Sequence, residues 1–168
     1  MRNIEVKARL HDPAALELRL RQLPARFVAS FWQRDVFFRS PQGRLKLRFS
    51  EGDAELIYYV RSDDATLRGS DYQRQTVTDG DGLCSILEAA LGSCGEVRKQ
   101  RRLYLLDNIR IHIDDVEGLG SYMEVEAVID AEHDETACQR ATQELLKVLE
   151  ITSAHFEARA YVNLLLER

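Results

Sequence analysis

The chain has 168 residues, 45% of them apolar and 30% charged, with a formal net charge of −5. That is room for one soluble domain with its own core, and its acidic balance argues against a protein that coats nucleic acid through bulk charge. No apolar run approaches the ~18 residues of a membrane helix, and the charged start "MRNIEVKARL" leaves no apolar stretch for a signal peptide.

The first element is "RNIEVKARL", in which Ile4, Val6, Ala8 and Leu10 alternate with Asn3, Glu5, Lys7 and Arg9. Such alternation predicts a strand, because successive side chains leave a strand on opposite faces. Asp12 as N-cap and Pro13 at the first helical position predict a helix to about Leu23. "FVASFWQRDVFF", Phe27 to Phe38, reads as a strand, "SPQG" as a turn, and "RLKLRFS" as a second alternating strand. After the "EGDA" turn comes the strand "ELIYYVR", then a polar loop "SDDATLRGS" and a further strand "DYQRQTV". "TDGDGLCSILEAALG" predicts a helix ending at Gly92. Three strands follow, "EVRKQRRLYLL", "IRIHIDDV" and "SYMEVEAVI", joined by the short turns "DN" and "EGLG". From Asp134 the chain reads as helical, in two pieces, "DETACQRATQELLKVLE" and "AHFEARAYVNLLLE".

About eight strands joined mostly by short turns imply antiparallel pairing in one α+β domain spanning 1–168, with flanking helices. A sheet of that size tends to close into an eight-stranded antiparallel β-barrel, which removes its edges. The cysteines Cys84, Cys94 and Cys138 are too few and too scattered for a disulfide framework or a zinc site. The expected setting is a reducing cytoplasm.

Five strands repeat one pattern: a clean apolar face opposite a face of long charged residues. These are Glu5 and Lys7; Lys46 and Arg48; Lys99 and Arg101; Arg110, His112 and Asp114; Glu124 and Glu126, with Arg61 ending a sixth strand. An ordinary sheet with its charged face in water would also give this alternation. A solvated face mixes signs, however, whereas here "RLKLR" and "RKQRR" are basic and "YMEVE" is acidic. If the faces turn inward, the carboxylates Glu5, Asp114, Glu124 and Glu126 confront a basic wall. Carboxylates are hard ligands suited to Mg²⁺ or Mn²⁺, and Lys and Arg bind phosphate oxygens. A metal beside a basic lining suits a chain of phosphates. No GxxxxGK[ST] loop is present, and "GLG" at Gly118–Gly120 lacks the helix of a dinucleotide site.

"NIEVKARL", "FWQRDVFF", "GRLKLR", "LIYYVRSD", "SDYQRQTVTD", "VRKQRRLY", "IHIDDVEGLGSYMEVE" and "YVNLLL" together resemble the CYTH superfamily, the triphosphate tunnel metalloenzymes, and within it the class IV adenylyl cyclase-like (CyaB-type) subgroup. The resemblance implies an eight-stranded tunnel open at both ends. It implies that Glu5, Glu124, Glu126 and Asp114 bind Mg²⁺ or Mn²⁺. It implies that Lys7, Lys46, Arg48, Arg61, Lys99 and Arg101 hold a triphosphate, with Lys7, Asp114 and Arg101 acting in catalysis. The chain departs from the family pattern at Asn3, where relatives carry Glu, and at Tyr59, where many carry Lys; Arg61 is expected to compensate for the second. The implied activity is cyclisation of ATP to cyclic AMP and pyrophosphate. Hydrolysis of a nucleotide, tripolyphosphate or thiamine triphosphate is the alternative, and a non-catalytic nucleotide or polyphosphate binder is a third reading. The expected partner is a nucleoside triphosphate or other triphosphate, with no nucleic acid and no membrane; a homodimer is left open.

Overall fold

A computed structural model describes residues 2–60 and 68–168. Eight strands form a closed barrel: β1 (Arg2–Arg9), β2 (Arg26–Phe38), β3 (Arg44–Ser50), β4 (Asp53–Val60), β5 (Arg68–Val77), β6 (Ser93–Leu106), β7 (Ile109–Val116) and β8 (Gly120–Val128). Four α-helices flank it: α1 (Pro13–Leu20), α2 (Gly80–Leu91), α3 (Glu135–Val148) and α4 (Tyr161–Leu166). Around the barrel the order is β1-β5-β4-β3-β2-β6-β7-β8, every pairing antiparallel, with β8 closing on β1. The α+β barrel expected from the alternation is the fold observed.

The helices start where the sequence places N-caps. Asp12, Asp79 and Asp134 each accept from a backbone N–H three residues on, at 3.0, 2.8 and 2.7 Å. The apolar strand faces point outward, against these helices. Ile4, Val6, Ile111, Ile113, Met123 and Val125 pack with Leu16 and Leu20 of α1, with Leu145 and Leu146 of α3 and with Leu149 at its C-cap. On the opposite flank Val36, Phe38, Leu47 and Ala54 pack with Cys84 of α2. With one face of each strand committed to helices, the register puts its charged face in the lumen. Between β2 and β3, Gly43 is required at φ +63°, since a Cβ there would lie 2.7 Å from the Tyr59 carbonyl oxygen.

Four elements differ from the sequence expectation. The first helix ends at Leu20, not Leu23, and finishes in tight i→i−3 turns (Gln22 N to Arg19 O, Leu23 N to Leu20 O) ahead of Pro24. The polar stretch Ser62–Ser70 is not wholly a loop: Arg68–Ser70 already belong to β5, paired with β1, and 62–67 lie outside the described residues. β6 begins at Ser93, because a register shift at Phe37/Phe38 extends its pairing with β2. The last piece is not one helix. A 3₁₀ turn at Ser153–His155 leads into a segment that bridges Ala8 through Phe156 and donates from Glu157 N to Lys7 O at 3.0 Å, and only then does α4 form.

That segment alters the barrel. Phe37, Val97, Val116 and Tyr122 are in step with the lumen-facing residues of their strands, and they pack against Ala160, Tyr161, Val162 and Leu164. α4 and the residues leading into it thus form an apolar stopper packed on one end of the barrel.

Candidate active site

The barrel encloses a cavity of about 380 Å³. Asn3, Glu5 and Lys7 line it from β1, Lys46 and Arg48 from β3, Lys99 and Arg101 from β6, Arg110 and His112 from β7, and Glu124 and Glu126 from β8. The inward orientation of the charged faces is thus observed. Arg61 lies outside the described residues.

Two carboxylates organise the basic wall. Asp114 is fully buried; it accepts from Lys99 Nζ at 2.9 Å, from Arg101 Nε at 2.6 Å and Nη2 at 2.5 Å, and from the Tyr161 hydroxyl at 3.1 Å. Burial alone would raise its pKa; Arg101 and Lys99 overcome that and bring it down to about 2. The sequence groups Asp114 with the metal donors. In the structure its oxygens are taken up by cationic and hydroxyl donors, which makes it the anchor of Lys99 and Arg101. Asp35, on β2, does the same for β3: it accepts from Lys46 Nζ at 2.6 Å and from Arg48 Nε and Nη2 at 2.7 and 2.8 Å. Its carboxyl, too, is held well below the usual range, Arg48 and Lys46 outweighing burial. Lys46 itself is lowered to about 8, first by burial and then by the Arg48 charge.

Lys7 is buried, donates to the Arg159 carbonyl at 2.7 Å, and stands 4.2 Å from the centroid of the Tyr161 ring; Lys99 approaches the same ring at 5.0 Å. The stopper therefore also tethers two of the predicted phosphate ligands. Tyr59 faces the lumen at this end, its ring 5.7 Å from Lys46 Nζ.

The acidic wall is formed by neighbours on β1 and β8, where Glu5 is directly opposite Glu126 and Lys7 opposite Glu124. Glu124 accepts from Arg101 Nη2 at 2.5 Å, and Glu126 from Arg110 Nε at 3.0 Å. Against the effect of burial, both carboxyls sit below their ordinary values: Lys99 and Arg101 hold Glu124 down, and His112 and Arg110 hold Glu126 down. His112 is buried with neither ring nitrogen hydrogen-bonded, its Nε2 3.5 Å from Glu126, and burial and the Arg101 charge depress its pKa.

Among the described residues no three His, Cys, Asp or Glu side chains converge as a ready metal site. The donors nevertheless fit a hard cation. Like charges directly opposite on a sheet repel, and Glu5 and Glu126 are so placed. Asn3, two residues along the same face, is 3% exposed with its Oδ1 lacking any hydrogen-bond partner. A buried carbonyl oxygen near carboxylates is the kind of oxygen set a hard divalent cation takes.

The sequence reading missed Asp35 and Tyr161. Asp35 shares the parity of Gln33 and Phe37, but β2 has no clean polar face to single it out, and nothing local marks Tyr161.

A curated protein of Methanocaldococcus jannaschii, named as a candidate adenylate cyclase, is 24% identical over 172 residues, covering 98% of each chain. A solved structure from Pyrococcus horikoshii superposes with a TM-score of 0.87 at 22% identity, over 96% of this chain and 98% of the other. A Vibrio parahaemolyticus structure, also named as a candidate adenylate cyclase, does so with a TM-score of 0.78 at 22% identity, over 98% and 97%. The CYTH domain model matches residues 1–161, and the chain belongs to the CYTH domain family.

Proposed function

We propose that this chain is a divalent-metal-dependent enzyme that binds a triphosphate inside the barrel and cyclises ATP. The ribose 3′-hydroxyl attacks the α-phosphorus, its proton is lost, and pyrophosphate leaves. The observation that carries the reading is the charge lining the lumen: the cations Lys46, Arg48, Lys99 and Arg101 on β3 and β6, and the carboxylates Glu5, Glu124 and Glu126 on the paired strands β1 and β8, with Lys7 among them. Relatives named as candidate adenylate cyclases tip the reaction toward the cyclase.

The phosphates would enter from the end away from α4. Arg48 and Arg101 offer planar donor pairs to phosphate oxygens, and Lys7, Lys46 and Lys99 offer point charges. Asp35 and Asp114 fix these cations before substrate arrives, so the wall needs little reorganisation as charge develops. Glu5, Glu124 and Glu126, with Asn3 Oδ1, would hold Mg²⁺ or Mn²⁺, which when bound supplies further charge neutralisation at the phosphates. His112, with unbonded ring nitrogens beside this acidic wall, is placed to accept the hydroxyl proton. The stopper keeps water from the far end of the phosphate chain.

The test is product identification. The protein is incubated with ATP, tripolyphosphate and thiamine triphosphate, each with Mg²⁺ or Mn²⁺ at neutral and alkaline pH, and the products are separated by chromatography. Cyclic AMP with pyrophosphate supports the proposal. Orthophosphate with a diphosphate makes the chain a triphosphatase, and binding without any product makes it a binding module.

A further inference from the structure

One lumen cation has no part in the basic wall. Arg110 lines the cavity from β7, but its hydrogen bonds run to Glu126 and Tyr72 rather than to Asp35 or Asp114. It is directly opposite Glu126, which is in turn directly opposite Glu5. Its Nε donates to Glu126 Oε2 at 3.0 Å, and its Nη2 lies 2.8 Å from the same oxygen. The same Nη2 donates to the hydroxyl of Tyr72, on β5, at 3.4 Å. β8 and β1 separate β7 from β5 around the barrel, so the side chain reaches across the strands that carry Glu124, Glu126 and Glu5. Glu124 is met by Arg101 at 2.5 Å and has Lys7 at 3.8 Å. The three carboxylates that would hold a metal thus stand among Lys7, Arg101 and Arg110, and their charge is already offset within the protein. Lys7 and Arg101 also belong to the proposed phosphate ligands; Arg110 does not.

We propose that Arg110 is a built-in counter-ion of the metal carboxylates, a positioning residue that keeps a bare divalent cation weakly bound and makes tight metal binding depend on the triphosphate. A positive charge a few ångströms from a divalent cation opposes it strongly even at an effective interior dielectric of about 20. A triphosphate reverses the balance: it draws Lys7 and Arg101 toward its oxygens and adds negative charge that offsets Arg110. By linkage, the metal then strengthens the triphosphate by the same factor. A role confined to aiming Glu126 predicts the opposite sign, since losing a partner that orients a metal ligand weakens the metal. The inference rests on the proposed reading of the lumen as a triphosphate site and adds to it the coupling between its two ligands.

Mn²⁺ binding tests it in three proteins: the wild type, Arg110→Gln, which keeps a donor for Glu126 without the charge, and Arg110→Lys, which keeps the charge. Each is titrated with Mn²⁺ alone, followed by electron paramagnetic resonance, and with the preformed Mn²⁺–tripolyphosphate complex, followed by calorimetry. The wild type is expected to bind the complex at least about tenfold more tightly than the bare ion, a factor usual for coupled sites. Arg110→Gln should bind the bare ion about tenfold more tightly than the wild type does, and the complex no more tightly. Arg110→Lys should behave as the wild type. The inference is overturned if Arg110→Gln binds bare Mn²⁺ no more tightly than the wild type, if Arg110→Lys gains as much as Arg110→Gln, or if the complex gains in parallel with the bare ion. A wild type that binds the bare ion as tightly as the complex overturns it without any variant. A wild type that binds neither contradicts the underlying triphosphate reading as well.

Discussion

Asp114→Asn is the substitution that most directly probes how the basic wall is held. It keeps the shape of the side chain and removes its charge. Asp114 is wholly buried and charged at neutral pH, accepting from Lys99, twice from Arg101, and from Tyr161. In the variant one amide oxygen can still accept, but the amide nitrogen faces an ammonium or a guanidinium, donor against donor. Removing one partner of a buried ion pair costs about 3–5 kcal/mol. For a chain of this length that is a fall in Tm of roughly 6–20 °C. Bound tripolyphosphate restores negative charge next to Lys99 and Arg101, so it should stabilise the variant more than the wild type. Above saturation each tenfold rise in ligand adds about 1.4 kcal/mol to either protein, and an excess gain in the variant therefore reports tighter binding. The assay is thermal unfolding followed by circular dichroism at pH 7, across a tripolyphosphate series. An unchanged Tm without ligand, or identical stabilisation of the two proteins by tripolyphosphate, would refute the reasoning.

Tyr161→Phe removes only the hydroxyl that donates to Asp114 and keeps the ring under Lys7, so it should cost about 2 kcal/mol in denaturant unfolding; a loss of tripolyphosphate affinity as large as that of Lys7→Met would contradict the tethering role. Asp35, Asp114, Glu124 and Glu126 all have folded-state pKa values below their unfolded ones, so their stabilisation is complete above about pH 5 and is lost as the pH falls toward about 2. Melting temperatures flat from pH 7 to pH 3 would rule this out. Lys46 is protonated only below about pH 8, so tripolyphosphate affinity should decline as the pH rises through that value, and Lys46→Arg should move the decline to higher pH. Glu124→Gln with Glu126→Gln should weaken Mn²⁺ binding, followed by electron paramagnetic resonance, at least about tenfold while tripolyphosphate still binds; undiminished Mn²⁺ binding would remove these carboxylates from the metal site.

The inward face was legible because it is written in parity. On β1, β3, β6, β7 and β8 one face is apolar and the other charged, and the sorting of sign by strand pointed to a closed barrel covered by helices over an open sheet with a solvated face. β2 hid Asp35 because it carries aromatic residues on both faces: Phe31 and Phe37 inward, Trp32 and Phe38 outward. With no clean polar stripe, the carboxylate that anchors Lys46 and Arg48 did not stand out. Asp114 was read by its sign alone. Its position directly opposite Arg101 is a matter of β6–β7 register, which no local pattern contains. The short turns marked most hairpins, but the β1–β5, β2–β6 and β1–β8 neighbours join strands far apart in sequence and close the barrel through contacts without a local signature. The stopper escaped for a related reason. The segment before α4 is fixed by contacts to β1, through Phe156 and Glu157, and its helical pattern gave no sign of them.

The central claim is that a triphosphate sits inside the barrel between the two charged walls. A crystal structure with α,β-methylene-ATP and Mn²⁺ tests it most directly. The account predicts phosphate oxygens on Lys46, Arg48, Lys99 and Arg101, and a manganese anomalous peak against Glu5, Glu124 and Glu126. Phosphates bound outside the lumen, or a lumen whose Asp35 and Asp114 ion pairs persist with no anion beside them, would contradict it.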